Sequence, residues 1–76
     1  MENGPSSARQ SFETLAGSAV RGVDKMLVLT LRKNHRGVYL IIEELAGPRR
    51  HSIVVPASML PELNSQLQSM ATRANI

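Results

Sequence analysis

The sequence predicts an α+β fold, in which a three- to four-stranded antiparallel sheet is followed by one C-terminal helix. Two observations predict it. Short segments rich in Leu, Val, Ile and Thr follow one another through residues 25–55 and are separated by turn-forming residues. After Pro56, apolar residues recur at the spacing of a helix. Since 76 residues leave no room for a second core, we expect a single domain.

The composition excludes several classes of protein and site. Apolar residues make up 42% of the chain, but it has one Tyr and one Phe, so the core must be aliphatic. The lack of Cys excludes disulfides, thiolate zinc sites and thiol nucleophiles. No apolar run approaches the roughly 18 residues of a membrane span, and no secretion signal is recognisable. We therefore expect an intracellular protein, in the nucleus or cytoplasm, that is not secreted and has no membrane partner.

The N-terminal part of the chain is the least patterned. Residues 1–11 are polar and aperiodic, which predicts a disordered tail, and residues 12–76 then form the single domain. Residues 12–20 have weak patterning and an internal Gly, so they predict either a short leading strand or a frayed helix, and we favour the strand.

Two strands and a hairpin turn are predicted next. Residues 25–33 contain Leu, Val and Thr without Pro or Gly, which indicates a strand, and residues 38–44 indicate a second one. Between them, Asn34 to Gly37 form a polar interruption that ends in Gly, as expected of a hairpin connection. Both strands carry apolar residues on both faces, because side chains alternate along a strand.

A loop, a third strand and a helix complete the domain. Residues 45–50 contain Ala-Gly-Pro and two arginines and predict a loop, whereas residues 51–55 predict a strand that Pro56 ends. Ser58 is expected to cap a helix with Pro61 and Glu62 in its first turn. The helix runs to about Arg73 with one apolar stripe, formed by Leu60, Leu63, Leu67, Met70 and Ala74.

The apolar surfaces predict a partner. One helix covers only one face of a sheet, yet the strands are apolar on both faces. A second copy of the chain is the first expectation, so that a homodimer completes the fold. We expect the packing surface toward a second copy, or toward another protein, to include four residues of the stripe: Leu60, Leu63, Leu67 and Met70.

A basic cluster at the hairpin turn is the main candidate binding site. The chain has a net charge of +3, which favours polyanionic partners, and Arg32, Lys33, Asn34 and Arg36 lie together with His35. Such groups suit phosphate contact. A turn that is merely solvated remains the alternative. Tyr39, two residues past the turn glycine, is placed to stack on an unpaired base, although packing is the usual role of a strand Tyr.

A second basic cluster, Arg49 and Arg50 beside His51, is predicted at the opposite end of the sheet, where a solvated loop is the alternative role. Catalysis and metal binding are not expected. The chain has two His and no Cys, Glu43 and Glu44 point to opposite faces, and neither a phosphate-binding loop nor a nucleophile elbow is present. We predict no enzyme activity, no catalytic residue, no metal site and no cofactor.

Residues 25 to about 70 resemble the PUR repeat, the unit of the purine-rich-element binding proteins related to Pur-alpha. The resemblance is carried by a strand that ends in Arg-Lys-Asn, then His-Arg-Gly-Val-Tyr-Leu-Ile-Ile at residues 35–42. The stretch Ser-Ile-Val-Val-Pro-Ala-Ser at residues 52–58 looks like the third strand and helix start of the plant members. These motifs are short, and two positions depart from the family: Val38 and Ile41 stand where it has basic residues.

This resemblance implies a PUR/Whirly-like sheet crossed by one helix, two copies of which intertwine. It also implies binding of single-stranded DNA or RNA, often purine-rich, in transcription or RNA handling. Carried over by position, Arg32 and Asn34 match the contacts of the family's turn, Arg36 and Gly37 match its Arg-Gly pair, and Tyr39 matches its stacking aromatic. The alternative is a protein-interaction module of the same fold with reduced or no nucleic-acid binding.

Overall fold

The computed structural model describes residues 12–75, so the tail predicted at residues 1–11 lies outside the described residues. The chain forms an antiparallel sheet of four strands in the order β1-β2-β3-β4, followed by one C-terminal helix, α1. This confirms the predicted α+β layout. The elements are β1 (Phe12–Arg21), β2 (Met26–Asn34), β3 (Gly37–Ala46), β4 (Arg49–Pro56) and α1 (Leu60–Arg73).

Strands β1, β3 and β4 are longer than predicted, whereas β2 has the predicted length and begins one residue later. Residues 12–20 do form a strand, as favoured. The loop predicted over residues 45–50 is wrong, because Leu45 and Arg50 pair across the β3–β4 hairpin, as do Ala46 and Arg49. Only Gly47 and Pro48 are left to make the turn. Gly47 has a φ of 60°, which lets so short a connection reverse the chain.

The start of the helix differs from the prediction. A 3₁₀ turn, Ala57–Met59, precedes α1, and the backbone N–H of Leu60 donates to the Ala57 carbonyl. Met59 therefore occupies the N-cap position, and no side chain caps this helix of the described chain. The prediction for Ser58 is wrong because the chain is already turning when it reaches that residue. Pro61 and Glu62 lie in the first turn, as expected.

The strand register divides the sheet into two unlike faces. Residues directly opposite each other on paired strands share a face, and successive residues alternate. The aliphatic face carries Leu27, Leu29, Leu31, Leu40, Ile42, Ile53 and Val55. The mixed face carries Thr30, Arg32, Tyr39, Ile41, Glu43, Ser52 and Val54. Successive residues of one strand thus lie alternately on the aliphatic face and on the mixed face.

A β-bulge in β1 changes which face its first residues occupy. The register shifts between Thr14 and Ala16, so Leu15 has no partner on β2. Ala16 pairs with Leu31 on the aliphatic face, whereas Thr14 pairs with Arg32 on the mixed face. Without the extra residue, strict alternation would put Thr14 and Phe12 on the same face as Ala16. The bulge therefore brings Phe12 to the mixed face.

Neither face of the sheet is covered by the rest of the described chain. Helix α1 makes its substantial contacts with the 3₁₀ turn, and not with the sheet. The expectation that the helix covers one face of its own sheet is therefore wrong. Val55 is the one buried apolar side chain of the described residues, at 8% exposure. Residues 12–75 by themselves lack the enclosed core that a folded domain normally has.

Helix α1 has 14 residues, fewer than the roughly 20 of a membrane-spanning helix. Among residues 12–75, no helix has both the length and the apolar character to cross a membrane.

Candidate nucleic-acid interface

The β2–β3 hairpin turn is fixed by its own side chains and backbone. The backbone N–H of Arg36 donates a 2.8 Å hydrogen bond to Oδ1 of Asn34, which closes an Asx turn. Gly37 follows with a φ of 138°, a backbone conformation that residues other than glycine rarely adopt. Because the turn uses Oδ1, the amide N–H groups of Asn34 are the part of that side chain suited to meet an acceptor on a ligand.

Arg32 lies at the centre of a small aromatic cluster on the mixed face. Its guanidinium carbon lies 4.6 Å from the centroid of the Phe12 ring, within the range of a cation–π contact. Tyr39 is directly opposite Arg32 on β3, and Pro56 is opposite Tyr39 on β4. Nε of Arg32 is buried and has no hydrogen-bond partner among the described residues. Packing thus keeps the guanidinium close to the sheet.

Two hollows lie beside the hairpin turn. The Tyr39 hollow has a volume of about 430 Å³. Its lining includes Asn34, Arg36, Tyr39, Val54 and Pro56. An added Cβ on Gly37, which also lines this hollow, would meet no atom within 4 Å, so the space above its backbone is open. An aromatic residue and a basic residue therefore line an open concave surface.

The Phe12 hollow is the smaller of the two, with a volume of about 300 Å³. Its lining consists of Phe12, Glu13, Lys33, Asn34 and His35. Asn34 lines both hollows, so they adjoin each other at this residue. Each hollow combines one aromatic ring with at least one basic side chain.

The structure brings together only part of the predicted site. Arg32, Asn34, Gly37 and Tyr39 share the mixed face at one end of the sheet, and Arg36 lies in the adjoining turn. Lys33 is paired with Val38 on the aliphatic face, although its exposed side chain reaches the Phe12 hollow.

The second basic cluster lies apart from the first, as predicted. Arg50 pairs with Leu45, whose other partner is Met26 at the far end of β2. Met26 and Arg32 are about 20 Å apart along the strand. Arg49 and Arg50 also point to opposite faces, because they are neighbours on one strand. Arg21 lies opposite Met26, so it shares the face and the end of the sheet with Arg50.

Sequence reasoning missed Phe12 as a member of this region. Its place beside Arg32 depends on the bulge at Leu15, which no alternation pattern shows. Val54 and Pro56 were also missed as walls of the Tyr39 hollow, since they come from β4 through pairing with β3. The short strand pattern of residues 51–55 alone could not give that register.

An ion pair between Lys25 and Glu44 lies away from this region. Nζ of Lys25 donates a 2.6 Å hydrogen bond to Oε2 of Glu44. This hydrogen bond and the accompanying charge attraction lower the pKa of Glu44 below its usual value and raise the pKa of Lys25. The charge of Glu44 is therefore locally compensated. Within residues 12–75, no three His, Asp or Glu side chains gather as metal ligands would.

Comparison with known proteins assigns no family to the chain. It matches no protein-family model, and no curated protein matches it. Similarity to the PUR repeat rests on the short segments at residues 32–42 and 52–58 and stays a prediction.

Proposed function

We propose that this chain is a single-stranded nucleic-acid-binding module, for DNA or RNA and with a preference for purine-rich strands, that acts as a homodimer in transcription or RNA handling within the nucleus or cytoplasm. The observation that carries the proposal is the Tyr39 hollow, one open surface lined by the aromatic Tyr39, the basic Arg36 and the amide-bearing Asn34. An unpaired base can stack on the ring while its phosphate meets the guanidinium. On this proposal the chain is a binding protein and not an enzyme.

The stacking aromatic favours a single strand over a duplex. A ring such as that of Tyr39 can stack on a base only when the base is free of its own stack, as it is in an unpaired strand. The basic groups near the turn are Arg32, Lys33 and Arg36, with His35 between them. They supply the phosphate contacts of the proposal, whereas Arg49 and Arg50 lie too far away to join the same site.

The homodimer is supported by two surfaces that a single chain leaves apart. On the aliphatic face Ile53 is 59% exposed, the leucines and Ile42 are half-buried and Val55 is buried. The helix stripe is exposed at Leu67, with 55%, and at Met70, with 61%. Leu60 and Leu63 complete that stripe and are half-buried. Under two-fold symmetry the stripe of each copy covers the aliphatic face of the other. Each chain then obtains the core that it lacks.

The same exposed surfaces favour one alternative function. A protein-interaction module of this fold would use the aliphatic face or α1 to dock on another protein, with reduced or no nucleic-acid binding. Val38 and Ile41, which stand where the PUR family has basic residues, lower the charge near the turn and are consistent with that alternative. The two functions differ in their response to salt, since phosphate contacts weaken steeply with salt and apolar docking does not.

Substitution of Tyr39 tests the proposed site. We expect Tyr39→Ala to weaken binding of a fluorescein-labelled purine-rich DNA strand by about 1–3 kcal/mol in fluorescence anisotropy, because it removes the stacking surface. The matched variant Tyr39→Phe keeps the ring and is expected to bind like the wild type. Equal affinity of all three proteins would refute the site. Circular dichroism of each variant checks that the sheet is intact.

A further inference from the structure

The geometry points to Phe12 as a second base-stacking residue, so that the hairpin end of the mixed face takes two neighbouring unpaired bases, one against Tyr39 and one against Phe12. This inference rests on the proposed function and extends it to a residue on another strand. Its starting point is the pair of hollows that share Asn34, each with its own aromatic ring.

The backbone of β1 places Phe12 for this role. Because of the bulge at Leu15, Phe12 lies on the same face as Arg32 and opposite Asn34. Phe12 is 48% exposed, although it is the only Phe of the chain. Bulges often re-aim side chains beside functional sites. An aromatic ring held at the surface in this way presents a stacking platform to the solvent.

Arg32 connects the two rings. Its guanidinium packs on Phe12 at 4.6 Å from the ring centroid and lies across the strand from Tyr39. A guanidinium plane is itself a stacking surface for bases. The buried, unpartnered Nε among the described residues shows that this side chain is held by packing. Arg32 thus lies next to Phe12 and directly across the strand pair from Tyr39 on the mixed face.

The charges around the Phe12 hollow favour a base there, with the phosphates nearer the turn. Glu13 lines this hollow and would repel a phosphate, while Lys33 and His35 line its side toward the turn. Asn34 lines both hollows, and because its Oδ1 accepts from the turn, its amide N–H groups are the part of the side chain that can meet an acceptor on a base. The ligand class is therefore a single-stranded segment with two adjacent unpaired bases.

Substitution of Phe12 tests the inference against the wild type and against a matched control. A labelled purine-rich strand of about 12 nucleotides is titrated by anisotropy with Phe12→Leu, Phe12→Tyr and Val23→Ala. Leu keeps the apolar contact but removes the ring, Tyr keeps the ring, and Val23 is fully exposed in the β1–β2 turn. We expect Phe12→Leu to bind roughly 5- to 150-fold more weakly, while the other two variants match the wild type.

A fluorescence reporter separates stacking from a change in the fold. The chain contains no Trp, so Phe12→Trp introduces a single indole whose emission is quenched when a base stacks on it. We expect quenching that saturates together with the anisotropy signal, and no quenching in a Val23→Trp control. If the wild type binds the strand and Phe12→Leu binds it equally well, the inference is overturned but the proposed function is not. The same holds if the indole of Phe12→Trp stays unquenched when the strand is bound. A wild-type protein that binds no strand would overturn the proposed function as well.

Discussion

The pair Ile53 and Val54 offers a test of which face of the sheet a second copy covers. They are neighbours on β4, they are 59% and 63% exposed, and they point to opposite faces. In the proposed homodimer Ile53 becomes buried under the partner, whereas Val54 stays on the free mixed face. Truncation of each residue to Ala therefore compares two β-branched strand residues that differ mainly in the face they occupy.

The expected magnitude follows from the exposed area. Complete burial of an Ile side chain is worth about 1.5–3 kcal/mol, so burying the exposed three fifths of Ile53 contributes about 1–2 kcal/mol per subunit. A two-fold dimer contains the substitution twice, so Ile53→Ala costs about 2–4 kcal/mol of dimer stability. The Kd of the dimer is then expected to rise roughly 30- to 700-fold. Val54→Ala should change it by less than about fivefold.

Sedimentation velocity over a concentration series measures both Kd values without nucleic acid. The reasoning predicts that the wild type and Val54→Ala are dimers at micromolar concentration, and that Ile53→Ala shifts toward monomer. Equal effects of the two substitutions would refute the assignment of the aliphatic face as the interface. A wild type that is folded and strictly monomeric at micromolar concentration would refute the homodimer itself.

Three further predictions concern the turn, its charges and the ion pair. Gly37→Ala should destabilise the fold by about 1–3 kcal/mol in chemical denaturation, because Ala is strained at a φ of 138°; an unchanged unfolding free energy would contradict this. Arg36→Ala should reduce the slope of log affinity against log salt concentration for strand binding by about 0.7. The control Arg73→Ala removes the same charge from the last turn of α1 and should leave this slope unchanged. Lys25 lowers the pKa of Glu44 in the folded protein. The ion pair therefore stabilises the fold at pH values above about 4.3, the pKa of Glu in the unfolded chain. This contribution is lost as the pH falls through the pKa of Glu44 in the folded protein. Glu44→Gln should therefore be less stable than the wild type at neutral pH and equal to it in acid, and a difference that persists in acid would contradict the linkage.

The fold layout was predictable because each element has a strong local signal. The alternation of β2 and β3, the polar turn that ends in Gly37, and the apolar stripe of α1 depend on residues close in sequence. The turn over residues 47–48 was predicted too long, because strand pairing extends through Arg49 and Arg50 despite their charge. Long-range pairing decides where a strand ends, and a local pattern does not contain it.

The position of the helix was not predictable for a related reason. Its apolar stripe predicts that α1 packs against an apolar surface. The stripe does not indicate whether that apolar surface belongs to the same chain or to another one. In the structure the helix leaves its own sheet uncovered. The excess of apolar residues on both strand faces predicted a partner, and the exposure of Ile53 on the aliphatic face agrees with that reasoning.

The candidate site was predictable only where it is local. Arg32, Asn34, Gly37 and Tyr39 belong to one hairpin, so the sequence brought them together directly. Phe12 joins them through the bulge in β1, and the walls of the Tyr39 hollow come from β4 through the register of two strand pairs. Contributions from other strands require the register of the whole sheet.

The most direct test of single-strand binding is an anisotropy titration of a labelled purine-rich strand with the wild-type protein, at about 50 and 200 mM salt, beside a duplex of the same sequence. If Arg32, Lys33 and Arg36 each contact a phosphate, affinity for the single strand should fall by about 20-fold between these salt concentrations. The account predicts that fall, together with weaker binding of the duplex. Absence of binding at the lower salt, or an affinity that salt does not change, would contradict it.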